Sequence, residues 1–190
     1  MISHDFFIRH TKEFYDFYFH EMVYEKAMPN PAHIALAKLE AQGKLKAVIT
    51  QNIDGLHQKA GSKEVLELHG SIHRNRCVDC HKFYTLEDIL SQKDGVPVCP
   101  VCGGIIKPEV VLYGESLDMD VMEKAVSYIE QADTMIVGGT SLVVYPAAGL
   151  LQYFHGKHLV LINKEATSVD SQADIVIHDP IGQVLKTVVK

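Results

Sequence analysis

Four cysteines fall in two pairs, Cys77-Val78-Asp79-Cys80 and Cys99-Pro100-Val101-Cys102, with 18 residues between the pairs. Two tight turns that each present two thiolates can close a tetrahedron around one zinc ion. Gly103-Gly104, directly after the second pair, lets the backbone fold back beneath such a metal. Two disulfides are disfavoured without a secretion signal, and a redox dithiol would need only one pair. A closed four-sulfur site has no position left for water or substrate, so this zinc stabilises rather than catalyses. His73 and His81 lie close in sequence, but four thiolates already satisfy the ion, which leaves both as surface histidines. The zinc module is expected to span residues 71–107.

A second set of candidates is polar and comes in three clusters: Gln51-Asn52-Ile53-Asp54-Gly55-Leu56-His57, Gly138-Gly139-Thr140-Ser141, and Asn163-Lys164-Glu165. A glycine turn between strand and helix can present N–H groups to phosphate. An amide such as Asn163 or an acid such as Glu165 suits ribose hydroxyls. Each cluster alone is weak evidence, and no G-x-G-x-x-G occurs. Their recurrence after three apolar runs points to a nucleotide site.

Those clusters need elements to carry them. Asn30-Pro31 supplies a cap and a first-turn proline, Ala32, Ala35, Leu36 and Leu39 recur at helical spacing, and Gly43 ends the helix. Residues 45–50 form a short apolar run, expected as a buried strand. Asp118 opens a second helix carrying Met122, Ala125, Val126 and Ile129. Strands are expected over 134–137, 158–162 and 174–177, with a helix over 145–155 and another at the carboxy terminus. Alternation at this spacing argues for a Rossmann-like, doubly wound α/β domain, formed by residues 1–70 and 108–190 around the zinc module. In such a fold the ligand lies beyond the carboxyl ends of the strands, where all three clusters sit.

Composition agrees. The 190 residues are 47 % hydrophobic and 22 % charged, enough for a real core and unlike a disordered chain. Eighteen Lys+Arg against 24 Asp+Glu give a formal charge of −6, which argues against binding nucleic acid through charge. There is no membrane-length apolar run and no signal-like amino terminus, so a cytoplasmic protein is expected.

Taken together the motifs resemble those of the sirtuins, the NAD-dependent protein lysine deacylases. The resemblance rests on the string from Gln51 to His57, on His69-Gly70, on the two cysteine pairs, on the run from Lys107 to Glu115, on Gly139-Thr140-Ser141 and on Asn163-Lys164-Glu165. It covers nearly the whole chain. It implies a reaction in which the acyl oxygen of acetyl-lysine attacks the anomeric carbon of the nicotinamide ribose and nicotinamide leaves. A general base then activates a ribose hydroxyl, and the products are free lysine and O-acetyl-ADP-ribose. By resemblance His69 is that base, with Asn52 and Asp54 as catalytic partners that position the nicotinamide ribose and carboxamide. Gln51 would lie near the ribose and Ile53 would form a wall. Gly139, Thr140 and Ser141 would cradle ribose and phosphate, Asn163, Lys164 and Glu165 would hold the adenosine ribose, and Ile181 would lie by the adenine. Val110, Val111, Leu112 and Tyr113 would bind the acetyl-lysine peptide by adding a strand to it. Without the family, the same run is an ordinary strand and Tyr113 a core residue.

The chain departs from the pattern in two places. The family's opening G-A-G-x-S turn and its P-D-F-R segment have no counterpart here. The expectation is a truncated form that has lost a central strand and its pyrophosphate turn, and that binds NAD poorly unless something replaces them. The Tyr-x-x-Arg pair that accepts acidic acyl groups is also absent, since Tyr15 is followed three residues on by Tyr18. Neutral short acyl groups, chiefly acetyl, are expected instead. Two other functions compete: an ADP-ribosyl transferase, in which another nucleophile captures the ribose, and a non-catalytic zinc-ribbon module supported by Arg74 and Arg76.

Overall fold

The structure, a computed structural model, describes residues 1–190. In chain order it opens with α1 (His4–Arg9), α2 (Thr11–Phe17), α3 (Pro31–Ala41), β1 (Val48–Thr50), α4 (Leu56–Ala60) and β2 (Val65–Glu67). There follow β3 (Gly70–Cys77), β4 (Phe83–Thr85), α5 (Leu86–Leu90) and β5 (Ile106–Val110). The last part holds α6 (Met119–Glu130), β6 (Thr134–Gly138), β7 (His158–Ile162), β8 (Ile175–Ile177) and α7 (Ile181–Val188). Contacts divide the chain into two compact units.

The first unit comprises Met1–Ala27, Gln51–Gly55 and His69–Leu117. Its sheet is antiparallel, in the order β4-β3-β5. Phe7, Phe14 and Tyr18 recur at helical spacing along α1 and α2 and the π turn that continues them, with Tyr15 alongside. That aromatic stripe is buried against Ile72, Tyr84, Ile89, Ile106 and Val110. Phe7 meets Phe14 edge-on at 5.0 Å between ring centres, and the Tyr15 hydroxyl donates to the Ile106 carbonyl. That bond satisfies a hydroxyl that burial would otherwise leave unpaired, as it leaves that of Tyr18. Residues 1–27 therefore belong with the cysteine-bearing strands, whereas the division expected from sequence puts them in the larger domain. An aromatic stripe goes wherever a complementary apolar surface is, and chain order does not reveal that.

The second unit comprises Met28–Thr50, Leu56–Leu68 and Asp118–Lys190. Its α3 begins as expected: the Asn30 side chain accepts from the amides of Ala32 and His33, and His33 Nδ1 accepts from the Asn30 amide. Gly43 turns the chain at φ 70°. The amides of Lys44 and Leu45 both return to the Leu39 carbonyl, which consumes the start of the expected strand, so β1 begins only at Val48. Asp118 caps α6 by accepting from Asp120 and Val121.

The strands of this unit are parallel, as the α/β reading requires, and form two sets, β1-β2 and β6-β7-β8. Both β1 and β6 are bonded along one edge only. The helix expected over 145–155 is instead a tighter 3-10 winding from Ala147 to Tyr153. The Gly149 amide bonds back to Pro146, three residues before it, and glycine has little preference for the wider helix. Ala32 and Ala35 of α3 and Leu185 of α7 close over Ile162 of β7. No helix is long and apolar enough to cross a membrane.

Candidate functional site

His69 follows β2 by two residues and precedes β3 directly. Its Nδ1 lies 3.1 Å from the Gln51 carbonyl oxygen, and its own carbonyl accepts from the Val111 amide. A carbonyl only accepts, so Nδ1 carries the proton, and in the neutral ring Nε2 keeps its lone pair. Gly70 makes this placement possible. It sits at φ 74°, and a Cβ there would collide with the Glu109 carbonyl of β5.

The segment from Gln51 to Gly55 is anchored at three carbonyls. Gln51 holds His69, the Ile53 carbonyl accepts from Ile72 at 3.0 Å, and the Asp54 carbonyl lies 3.1 Å from His73 Nε2. Gly55, at φ 67°, leaves room for the His73 ring, which a Cβ would meet at 2.7 Å. His73 thus fastens this segment and lies outside the cysteine cluster. Ile53 packs on the aromatic core, while Asn52 is exposed and Asp54 half-buried.

In the second unit Gly138, Ile162 and Ile177 stand in one register line across β6, β7 and β8. The residues just beyond them therefore gather at one sheet edge. The Gly139 amide donates to the Ile162 carbonyl, and Thr140 Oγ1 accepts from the Leu142 amide at 3.2 Å. Ser141, Lys164 and Glu165 are exposed. Asn163 uses its side-chain amide on the Glu165 carbonyl at 2.8 Å, so it shapes the loop that carries it. Ile181 opens α7 with its side chain against Gly138, at a place where a Cβ would overlap it.

Sequence reasoning did not single out His178. Its Nδ1 lies 3.1 Å from the Asn163 carbonyl and its Nε2 lies 3.3 Å from Asp170. Asp170 in turn accepts from the amide and hydroxyl of Thr167. The contacts join positions up to 15 residues apart, so no local pattern announces them.

The run from Val110 to Tyr113 divides. Val110 closes β5 and Leu112 is buried in the core, while Val111 is half-buried and Tyr113 is 65 % exposed, so Tyr113 is not a core residue. The amides of Val111, Leu112 and Tyr113 donate to the His69 carbonyl, the Glu115 carboxylate and the Ile2 carbonyl. Those three N–H groups are engaged within the unit. Glu115 also accepts from Lys107 Nζ at 3.1 Å and pairs with His4 Nδ1 at 2.8 Å. Burial alone would raise its pKa, but the Leu112 amide, His4 and Lys107 outweigh it and hold the carboxyl below the usual carboxylate range. Tyr15 and Tyr18, the pair considered for acyl selection, both lie in the core, and burial pushes both phenols up.

The four cysteine sulfurs lie within 4.8 Å of one another, with Cys77 and Cys102 3.3 Å apart and Cys80 and Cys99 3.6 Å apart. A tetrahedral zinc with bonds of about 2.3 Å sets its sulfurs about 3.8 Å apart, so the quartet fits that ion. The two turns are alike. Amides of Asp79 and Cys80 face the Cys77 sulfur, and amides of Val101 and Cys102 face Cys99. The amide of Lys82 faces Cys80, and that of Gly104 faces Cys102. Gly103 supplies a positive φ of 80°, whereas Gly104 supplies space, since a Cβ there would overlap the Asp79 carboxylate and meet Cys77 Sγ at 2.9 Å. Without metal, thiols this close cannot all ionise. Burial opposes ionisation of Cys99, but the Tyr84 hydroxyl and two amides bring it down to about 6. Cys102 has the Gly104 amide in its favour, yet the sulfurs of Cys77 and Cys80 push it up to about 12.

Comparison with known proteins bears on this geometry. A family model described as the Sir2 family matches residues 1–146. An NAD-dependent protein deacetylase of Clostridium perfringens is 62 % identical over 190 residues, covering 100 % of this chain and 78 % of its own length. One from Clostridium acetobutylicum is 59 % identical over 189 residues, covering 100 % of this chain and 77 % of its own. A solved structure of Sir2 bound to acetylated peptide superimposes with a TM-score of 0.94 at 42 % identity, over 98 % of this chain and 81 % of that one.

Proposed function

The chain belongs to the Sir2 family, and from that premise we propose that His69 is the general base of an NAD-dependent protein-lysine deacetylase. Its relatives are named NAD-dependent protein deacetylases, and in the proposed reaction an acetyl group passes from lysine to ADP-ribose with release of nicotinamide. The observation that carries the assignment of His69 is the contact of its Nδ1 with the Gln51 carbonyl, which selects one tautomer. With Nδ1–H committed to the Gln51 carbonyl, Nε2 is left to accept the proton of a ribose hydroxyl.

The remaining roles belong to the same proposal. Asn52 and Asp54, on a segment anchored by its carbonyls, are assigned to position the nicotinamide ribose and carboxamide, beside Gln51 and Ile53. Gly139, Thr140 and Ser141 lie past the end of β6, where backbone amides can meet ribose and phosphate. Asn163, Lys164 and Glu165, past the end of β7, take the adenosine ribose, with Asn163 acting through the shape of its loop. Ile181 offers an apolar surface to the adenine.

The acetyl-lysine substrate is bound along Val110, Val111, Leu112 and Tyr113. The amides of 111–113 are engaged, and the carbonyls of Val110, Leu112 and Tyr113 already accept from Lys107, Glu115 and His4, so a peptide would meet the Val111 carbonyl and the exposed Tyr113 side chain. One of the solved Sir2 structures holds a p53 peptide with NAD, so that protein takes both ligands together. The zinc supplies no chemistry to the substrate; its four thiolates tie together two turns of the first unit. Four cysteines held as thiolates suit a reducing compartment, which supports a cytoplasmic location.

The test is product identity. This chain, given NAD and an acetyl-lysine peptide, is expected to place the acetyl mass on ADP-ribose. ADP-ribose label retained on a protein acceptor would favour ADP-ribosyl transfer, and an absence of acetyl-ADP-ribose would overturn the assignment.

A further inference from the structure

We infer that Tyr84 is a positioning residue of the zinc centre, donating its hydroxyl proton to the Cys99 thiolate and thereby slowing loss of the metal. The inference rests on the four-thiolate zinc reading and extends it to a residue outside the ligand set. The Tyr84 oxygen lies 2.9 Å from Cys99 Sγ. A free thiol and a phenol could each donate to the other. A zinc-bound thiolate has no proton, so with the metal in place only Tyr84 can be the donor.

The contact stands out against the near-symmetry of the site. Two backbone amides of its own turn face the sulfur of Cys77 and of Cys99, and one faces that of Cys80 and of Cys102. A side-chain hydroxyl breaks that symmetry at Cys99. It does so in a dry place, since Cys99 is 1 % exposed and Tyr84 7 %. A hydrogen bond to a charged acceptor is stronger there than at the surface.

The ring is held from several sides. Tyr84 is the one inward-facing residue of β4 and pairs with fully buried Asn75 of β3. The next residue, Thr85, is fixed by the reciprocal cap it forms with Asp88 at the start of α5. Lys82 Nζ lies 5.7 Å from the ring centre. A partner held this firmly orients a metal ligand and drains charge from it, and removing such a partner costs 10–100-fold in metal affinity in other proteins.

The experiment compares the zinc-loaded protein with Tyr84→Phe, which keeps the ring and removes the proton. Transfer of zinc to a chromogenic chelator in excess is expected to be about tenfold faster in the variant. In the cobalt-substituted proteins, the sulfur-to-metal charge-transfer band is expected at longer wavelength in the variant, because an undamped thiolate is easier to oxidise. Phe83→Leu, a neighbouring change on the exposed side of β4, serves as the control for loosening of the strand and should leave both readouts unchanged. Equal release rates, or faster release with an unshifted band, would overturn the proposal, the latter by reducing Tyr84 to packing. A wild-type protein that holds no stoichiometric zinc would overturn the zinc reading itself, a distinct failure visible before any variant is made.

Discussion

His69 and Gln51 are joined ring to backbone: the imidazole Nδ1 stands 3.1 Å from the Gln51 carbonyl oxygen, across 18 positions of sequence. The bond links the turn after β2 to the turn after β1, and it depends on the backbone alone at the Gln51 end. Replacing the Gln51 side chain therefore leaves the tautomer of His69 intact. Gln51→Ala is expected to change the KM for NAD more than any pH dependence that His69 imposes, checked by the pH profile of kcat/KM.

Gly70→Ala should damage the same place from the other side. The residue sits at φ 74°, and its Cβ would run into the Glu109 carbonyl. The backbone strain and the forced separation of β3 from β5 are expected to cost about 3 kcal/mol. Urea unfolding of the two proteins measures this, and acetyl transfer should fall in the folded fraction because His69 is displaced.

Removal of zinc should unfold the cysteine-bearing part of the first unit. Structural zinc sites carry on the order of 10 kcal/mol of apparent binding free energy at neutral pH. Cysteine must lose its proton to bind, so lowering the pH weakens the site and raising it strengthens it. Thermal scans with and without a strong chelator, at two pH values, are expected to show a fall in Tm on chelation and easier chelation at the lower pH. Gly104→Ala, which would push a Cβ into the Asp79 carboxylate and toward Cys77 Sγ, should mimic part of the loss.

Much of this was legible in the residues. Cysteine spacing announces the metal site because two ligands per turn is a local constraint, and Asn30 and Asp118 announce their helices because a cap is local too. What escaped was set by distant contacts. The aromatic stripe of Phe7, Phe14 and Tyr18 is visible as a helix face, but only the structure shows that it packs against Ile72 and Ile106. The late start of the strand expected over 45–50 lies in two amides turning back to Leu39. Tyr84 and His178 carry no motif, since each acts through a partner 15 positions away.

Glu115 should make stability depend on pH. Its folded pKa lies below the ordinary carboxylate value of about 4.3, held there by Leu112, His4 and Lys107 against the opposing effect of burial. A depressed pKa stabilises the fold above the unfolded value and loses that contribution as pH falls through the folded one. Glu115→Gln is expected to cost about 2 kcal/mol at pH 7 and to lessen the loss of stability below pH 4, as read by urea unfolding across that range.

The assignment of His69 as base is tested most directly by the ring nitrogens themselves. Nitrogen-15 NMR of the histidines, with His69 identified by its absence in His69→Ala, reports which nitrogen carries the proton in the neutral ring. The account predicts a protonated Nδ1 and a bare Nε2. A proton on Nε2, with Nδ1 bare, would contradict it, because the nitrogen assigned to accept the ribose proton would already hold one.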